Sequence, residues 1–314
     1  MSIPEISILM SVRNGLPYVD ETIASMCAQT YRDWEFIIVD NASTDGTPAA
    51  LERWAAADRR VRIVRNSGDL SHSGGLNRGV ESCSGRWVAR IDADDVASPD
   101  RLDRQLAFLR ANPDISVASC LAYYIDEKSR RVGKTFHDLT TREAFARHRD
   151  QNLAIGILHP GAIMDRELLC RLGGYRSAYD PANDIDLWAR MADAGALILV
   201  QAEYLMNYRV HGRSETAHDF AYARLKYQWA RDSMRARRRG HAEPAWEEYV
   251  AQRRAAPWWI RLNRWRKTQA RRLYRAAAVS MMTTRQIRAL AEAGAATILQ
   301  PSYTLPRLKG QMLR

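Results

Sequence analysis

The chain has 314 residues, 46% of them hydrophobic, which is enough to build a sizeable core. Its net charge of +11 is uneven, because the part from residue 219 onward holds 21 Lys and Arg against 6 Asp and Glu, a net +15 that leaves −4 for the rest. No stretch approaches the roughly 18 consecutive apolar residues of a transmembrane helix, and four scattered cysteines with no secretory signal before them predict reduced thiols in a cytosolic protein.

Three predicted strands in the first part of the chain each end in a polar loop. Ile6–Val12 leads into Arg13-Asn14-Gly15 and a helical stretch over 17–29. The strand 34–39 leads into the acidic, hydroxyl-rich loop 40–47, and the strand 87–91 leads into a third loop. A repeating order of strand, loop and helix predicts a mostly parallel sheet with right-handed crossovers. The three loops are therefore expected to line one crevice.

Two shorter elements precede the strand 87–91. Val61–Arg65 reads as a short strand, and the segment 73–83 reads as a helix that begins with Gly74 and Gly75. The two glycines would allow the backbone to approach a ligand closely. A flexible helix start is the alternative interpretation.

The loop after the strand 87–91 carries three carboxylates, Asp92, Asp94 and Asp95. Carboxylates held this close repel one another unless a cation lies among them, and hard oxygen ligands suit Mg²⁺ or Mn²⁺, which also bind diphosphate oxygens. A metal-bound nucleoside diphosphate at a strand end is therefore the first hypothesis. The alternative is an acidic turn before the helix that Ser98-Pro99 starts.

The segment 173–175 reads as a helix end, after which a new helix begins at Asn183. In that helix Asp184 shares one face with Leu187, Trp188 and Met191. This spacing predicts a carboxylate held at the mouth of an apolar face. Capping of the helix by Asp184 and Asn183 is the alternative.

The basic tail interleaves Trp258, Trp259 and Trp265 with arginines. Such a pattern suits the interface of an anionic bilayer. The alternative is a helical appendage whose tryptophans pack on the catalytic domain or on a second subunit, in a homo-oligomer.

Taken together, these motifs resemble the family 2 glycosyltransferases of the GT-A fold. The motifs that carry the resemblance are 6–15, 28–31, 40–47, 74–79, 92–95, 183–188 and 208–211. The resemblance implies an α/β, Rossmann-like, mostly parallel sheet flanked by helices over residues 1–218, with a donor half at about 1–126 and an acceptor half at about 127–218. Residues 219–314 would then form a basic α-helical C-terminal extension.

The resemblance also implies roles for individual residues. Asp40 would bind the base of a nucleotide sugar, Asp92 its ribose, and Asp184 would be the general base. The remaining implied residues are Ser11, Val12, Arg13, Asn14 and Ala93 for the donor, Asp94 and His211 for the metal, and His159 and Trp188 for the acceptor or sugar. Arg13 stands where the family usually has an aromatic residue, which predicts contact with a phosphate or an acidic sugar. His159 and His211 have structural loop roles as alternatives.

The function implied is that of a metal-dependent, inverting hexosyltransferase that uses Mn²⁺ or Mg²⁺. It would move a sugar from a nucleoside diphosphate sugar, with UDP expected, to a hydroxyl of a glycan or lipid-linked acceptor in surface polysaccharide synthesis. The expected location is cytoplasmic and peripheral on the inner face of the cell membrane.

Two other classes of protein share some of these features. A nucleotidyltransferase acting on sugar phosphates also uses metal-bound carboxylates, but its basic Gly-rich phosphate loop is represented here only by Arg13-Asn14-Gly15. A nucleic-acid-binding protein would explain the basic tail but not the acidic loops. No nucleic acid partner is therefore expected.

Overall fold

The computed structural model describes residues 3–211, 219–282 and 286–312. Within these residues nine strands form one sheet. The strands are β1 Ile6–Val12, β2 Trp34–Asp40, β3 Val61–Arg65, β4 Trp87–Arg90, β5 Val96–Ala97, β6 Ile115–Ile125, β7 Arg131–Lys134, β8 Ile163–Asp165 and β9 Leu197–Arg209. The helices are α1 Val19–Cys27, α2 Thr47–Ala57, α3 His72–Ser82, α4 Arg101–Ala111, α5 Arg142–Asp150, α6 Arg166–Arg171, α7 Asn183–Asp193, α8 Phe220–Arg238, α9 Trp246–Ala255, α10 Trp258–Met282, α11 Gln286–Leu299 and α12 Pro301–Met312.

The strand order is β3-β2-β1-β4-β8-β6-β9-β5, with β7 paired to β6. The first four strands are parallel, as expected for strands joined through helices. Beyond β4 the sheet is mixed, since β8 runs antiparallel to both of its neighbours while β6 and β9 run parallel. The predicted α/β fold is confirmed, and its parallel part corresponds to the first half of the sheet.

The register of the parallel strands brings their loops to one edge. Val12 at the end of β1 lies beside Asp40 at the end of β2. The amide of Asn41 donates to Val12 O at 2.8 Å, and the amide of Ile91, just after β4, donates to Leu9 O at 3.1 Å. The loops after β1, β2 and β4 therefore begin side by side.

Helix α3 lies close against this part of the sheet. A Cβ atom built on Gly79 would be 2.2 Å from Leu9 Cδ1, and one on Gly75 would be 2.4 Å from Ser11 Oγ. A larger residue at either position would push the helix away from β1. The glycines of α3 thus serve packing against the sheet.

The C-terminal region is helical, as predicted. Helix α8 packs on α7, and α9 contributes Tyr249 to the second apolar cluster, which includes Ile185 and Trp229. Helix α10 packs mainly against α11. Among the described helices, none combines the length and the apolar character needed to cross a bilayer. The predicted boundary at residue 218 lies outside the described residues and stays a prediction.

Candidate active site

Asp94 and His211, the two predicted metal ligands, are in direct contact. His211 Nε2 lies 2.8 Å from Asp94 Oδ2, although the two residues are 117 positions apart. Asp94 belongs to the loop after β4 and His211 follows the end of β9. The His211 side chain is nearly buried, and its ring lies 5.3 Å from the ring of Tyr18.

Arg209, at the end of β9, is hydrogen-bonded to the loop that carries Asp94 and Asp95. Its amide donates to Asp95 Oδ1 at 2.8 Å and its Nε donates to Asp94 O at 2.7 Å. The far end of the guanidinium donates to Glu21 Oε2 at 2.6 Å and lies over the ring of Tyr18. This buried arginine therefore ties the loop to helix α1.

The three carboxylates of the loop have different environments. Asp95 is 1% exposed, and burial together with the charges of Asp94 and Asp92 raises the pKa of its carboxyl well above the usual value. Burial also opposes ionisation of Asp92, but the Arg90 guanidinium, which donates to Asp92 Oδ1, outweighs it and holds the pKa of Asp92 below its usual value. Asp95 is thus an internal anchor of the loop, whereas Asp92 and Asp94 remain partly accessible.

Asp184 occupies the first turn of α7, as the sequence predicted. Burial raises the pKa of its carboxyl to about 6, and the nearby charge of Asp92 adds to this effect. On the same face of α7, one turn further along, Leu187 and Trp188 are fully buried in the core. The neighbouring Asn183 is buried, and its Nδ2 donates to Ser73 Oγ at 2.8 Å.

His159 and Trp188 lie together below the crevice. His159 Nε2 is 2.9 Å from Tyr175 Oη, and its ring meets that of Trp188 edge-on at 5.8 Å. Burial and the charge of Arg90 lower the pKa of His159 well below its usual value, so the ring is neutral. Trp188 has no exposed surface, and its predicted contact with acceptor or sugar stays a prediction.

The loop after β1 is held by the loop after β2. Asn14 has a positive φ of 54°, its amide donates to Ser43 Oγ at 2.9 Å, and its Oδ1 accepts from the amide of Thr44 at 2.8 Å. Arg13 is half exposed and forms an ion pair with Asp69. The guanidinium of Arg13 therefore lies at the rim of this loop cluster. An incoming anion would compete with the carboxylate of Asp69 for it.

The buried Asp40 carboxylate accepts from the amide of Ser43 at 3.0 Å. Next to it, Asn41 Oδ1 accepts from the amide of Leu70 at 3.1 Å and from Asn66 Nδ2 at 3.0 Å. The donor-side loops are thus joined into one polar wall.

The other predicted donor residues lie at the same edge. Ser11, partly exposed, contacts the start of α3 at Gly75, and Val12 is buried at the end of β1. Ala93 is partly buried against the main core, between Asp92 and Asp94. All the predicted donor residues therefore lie at the carboxyl ends of β1 and β2 or in the loops that follow β1 and β4.

Asp94 and His211 fit a divalent cation shared with a diphosphate. In the described part of the chain, no three His, Cys, Asp or Glu side chains cluster into a complete metal site. The pair does offer one carboxylate oxygen and one imidazole nitrogen at hydrogen-bond distance, and Mn²⁺ accepts both donor types. A cation with only two protein ligands leaves positions for the phosphate oxygens of a nucleotide.

Sequence reasoning missed several residues of the site, among them Arg90, Arg209 and Tyr175. The two arginines occupy apolar strands and are buried, and a buried guanidinium requires several acceptors. An arginine within an apolar strand was therefore the sequence signal that could have identified Arg90 and Arg209 as site residues. Tyr175 is positioned by paired hydrogen bonds with Asn77, which no local pattern reveals.

Comparison with known sequences gives a family match and a relative of similar length. A model described as glycosyl transferase family 2 matches residues 7–173, slightly more than half of the chain. The chain is 30% identical over 238 residues to the O-antigen biosynthesis glycosyltransferase WbnJ of Escherichia coli, which covers 73% of this chain and 87% of that protein.

Two solved structures share the fold at low identity. The mannosyltransferase PcManGT from Pyrobaculum calidifontis, in complex with GDP-Man and Mn²⁺, has a TM-score of 0.58 at 23% identity, covering 94% of this chain and 86% of that one. A TarS fragment from S. aureus, in complex with UDP-GlcNAc, has a TM-score of 0.60 at 12% identity, covering 95% of this chain and 93% of that one.

Proposed function

The chain belongs to glycosyltransferase family 2, and from that premise we propose that it transfers a sugar from a nucleoside diphosphate sugar to an acceptor hydroxyl with inversion. The observation that carries the proposal is Asp184, a carboxylate with its pKa raised to about 6, close enough to Asp92 for their charges to interact. Inversion by a single in-line attack requires one base for the acceptor proton.

Asp184 has the properties that this base needs. With a pKa of about 6 it is mostly ionised at pH 7, and yet it is basic enough to accept a proton during attack. Asp94 and His211 would hold the divalent cation, which when bound neutralises charge that develops on the leaving diphosphate. Asp40 and Asp92 would bind the nucleoside, with Ser11, Val12, Arg13, Asn14 and Ala93 around them.

We take UDP as the donor nucleotide and a surface glycan or a lipid-linked glycan as the acceptor. The name of WbnJ supports a polysaccharide acceptor, and the UDP-GlcNAc bound to the TarS fragment supports the nucleotide. The GDP-Man bound to PcManGT makes guanosine diphosphate the competing choice. Neither alternative class of protein is favoured by any of these comparisons.

A screen of donors tests the proposal. Melting temperatures of the full chain would be measured with UDP-GlcNAc, UDP-glucose and GDP-mannose, each with and without Mn²⁺, alongside release of the free nucleoside diphosphate. A true donor at 100 times its Kd is expected to stabilise the protein by about 2.7 kcal/mol. A chain that neither binds nor hydrolyses any of a broad set of nucleotide sugars would contradict the function, and stabilisation by GDP-mannose alone would overturn the choice of UDP.

We further propose that the start of α10 docks on an anionic bilayer. Trp258, Trp259 and Trp265 are 68%, 58% and 56% exposed, and Leu262 on the same side is 53% exposed. Residues 258–275 contain seven Lys and Arg and no Asp or Glu. Exposed indole rings in a basic segment without acidic residues match the headgroup region of anionic lipids, which supports a peripheral location on the inner face of the membrane.

The triple variant Trp258→Ser, Trp259→Ser, Trp265→Ser tests this docking. We expect it to lower binding of the full chain to phosphatidylglycerol-containing vesicles by about ten-fold or more. Vesicle co-sedimentation measures this, with Phe136→Ser as a control because Phe136 is 53% exposed outside this surface. Binding of the unchanged chain should weaken as salt is added. Equal binding to vesicles of neutral phosphatidylcholine would contradict docking on anionic lipid. Loss of a dimer in the triple variant would contradict the lipid role and favour a second protein copy as the partner of these tryptophans.

A further inference from the structure

Helix α7, which carries Asp184, is packed against α8, and α9 joins the same apolar cluster through Tyr249. Ile185 is 7% exposed and packs in a cluster with Tyr179 and Trp229, whose rings stack at 4.0 Å. Lys226 Nζ of α8 donates to Ala178 O at 2.6 Å in the turn just before α7. The residue that follows Asp184 is thus buried against the C-terminal helical segment.

The next residue, Asp186, is fully buried in an ionic network that reaches Glu243. Arg176 Nε and Arg190 Nε each donate to Asp186 Oδ2 at 2.9 Å. Arg176 also donates through Nη1 to Glu243 Oε2 at 3.0 Å, and Arg237 Nη1 donates to Glu243 Oε1 at 2.7 Å. Glu243 lies between α8 and α9, so it joins the C-terminal segment to the first turn of α7.

Glu243 is held ionised by these partners. Burial would raise the pKa of its carboxyl, but hydrogen bonds from Tyr179, Arg237 and Arg176 outweigh burial and lower that pKa to about 2. Without Glu243, Arg176 would keep only Asp186 as a close acidic partner, and Asp186 is already shared with Arg190. Arg237 would keep its ion pair with Asp193. The first turn of α7 would therefore lose its outer charge partner. Removing one member of a buried ionic group leaves its neighbours uncompensated, which costs more than the pair contributes.

We propose that Glu243 is a positioning residue for transfer and that residues 220–255 belong to the catalytic unit. Through Arg176 and Asp186, Glu243 fixes the turn in which Asp184 lies, two positions before Asp186. This inference rests on the proposed role of Asp184 as the base. It places the functional division of the chain near Pro257, before the exposed tryptophans, instead of at residue 218.

The test compares Glu243→Gln with Glu248→Gln in the full chain, since Glu248 is an exposed acid on α9. Glu243→Gln is expected to raise hydrogen exchange of the amides of 183–193 by about ten-fold or more. It should lower kcat about ten-fold while the KM for the donor stays within about three-fold, because only the orientation of the base is disturbed. Water reaching Asp184 would lower its pKa, so the acidic limb of kcat should move to lower pH.

Glu243→Asp should recover part of kcat, since it keeps the charge. If Glu243→Gln does not fold, Tyr179→Phe removes one hydrogen bond to Glu243 at 2.7 Å and is expected to cause the same changes at about three-fold. The positioning role would be overturned if Glu243→Gln had the same hydrogen exchange and kcat as Glu248→Gln. It would also be overturned if kcat per folded molecule of Glu243→Gln were unchanged while donor binding fell. A wild-type chain inactive with every donor would refute the proposed function, and hydrogen exchange would then judge the positioning of α7 by itself.

Discussion

Replacing Asp184 with asparagine is expected to lower kcat by about 100-fold or more while donor affinity changes by only a few fold. The amide has nearly the shape of the carboxylate but cannot accept the acceptor's proton. Steady-state kinetics with a short soluble acceptor, together with calorimetric titration of the donor, would separate the two effects. A comparable loss of donor binding would instead give Asp184 a structural or donor-contact role.

The raised pKa of Asp184 adds a test in pH. In the unchanged chain kcat should rise as pH increases through about 6, where Asp184 loses its proton. The free energy of unfolding should change in the opposite direction to kcat. A carboxyl whose pKa is raised in the folded state favours folding at low pH, and this contribution is lost as pH rises through about 6. The asparagine variant should therefore melt no lower than the wild type at pH 8, and Asp103→Asn, at an exposed site on α4, serves as the control.

Replacing Asp94 with asparagine is expected to lower transfer by at least about 100-fold and to abolish the Mn²⁺-dependent part of stabilisation by a nucleoside diphosphate. A neutral amide is a poor ligand for a hard cation, although it can keep the contact with His211. Activity measurements and melting curves with and without Mn²⁺ measure the two effects.

Excess chelator provides the matched control for Asp94. It should bring the wild type down to the level of the asparagine variant and leave the variant unchanged. Full activity of the variant, or full activity of the wild type in excess chelator, would contradict a metal role for Asp94.

The donor side of the molecule could be predicted from sequence because its pattern is local. Hydrophobic runs of six or seven residues ending at Val12 and Val39 predicted strands with polar loops, and the register of β1 and β2 confirms those strands. Parallel strands joined by helices place their carboxyl ends together. The position of Asp40 beside Val12 follows from this rule alone.

The second half of the sheet could not be derived in the same way. β8 has only three residues, and β9 has an interrupted apolar pattern with Arg209 at its end. Neither was predicted as a strand. Their pairing with β6 depends on contacts between segments more than forty residues apart, for which a single sequence carries no periodic signal.

The contacts of α8 with the α7 region could not be predicted for a related reason. A break in charge near residue 218 predicted a basic helical extension, but it does not show that Arg237 of α8 pairs with the partly buried Glu243. Net charge counts residues without regard to their partners. Only the fold distinguishes Arg237 from Arg261 and Arg266, which are exposed at the start of α10.

The hydrogen bonds between Arg209 and the carboxylate loop affect how the site would distinguish one donor from another. The backbone at Asp94 and the carboxylate of Asp95 are already hydrogen-bonded to Arg209, so this loop is ordered in advance. Little conformational entropy is left to lose when a donor arrives, and preorganised sites of this kind bind with a smaller entropic penalty. Differences in affinity among donors should then reflect the contacts each one makes with a fixed surface, not how well each one folds the loop around itself.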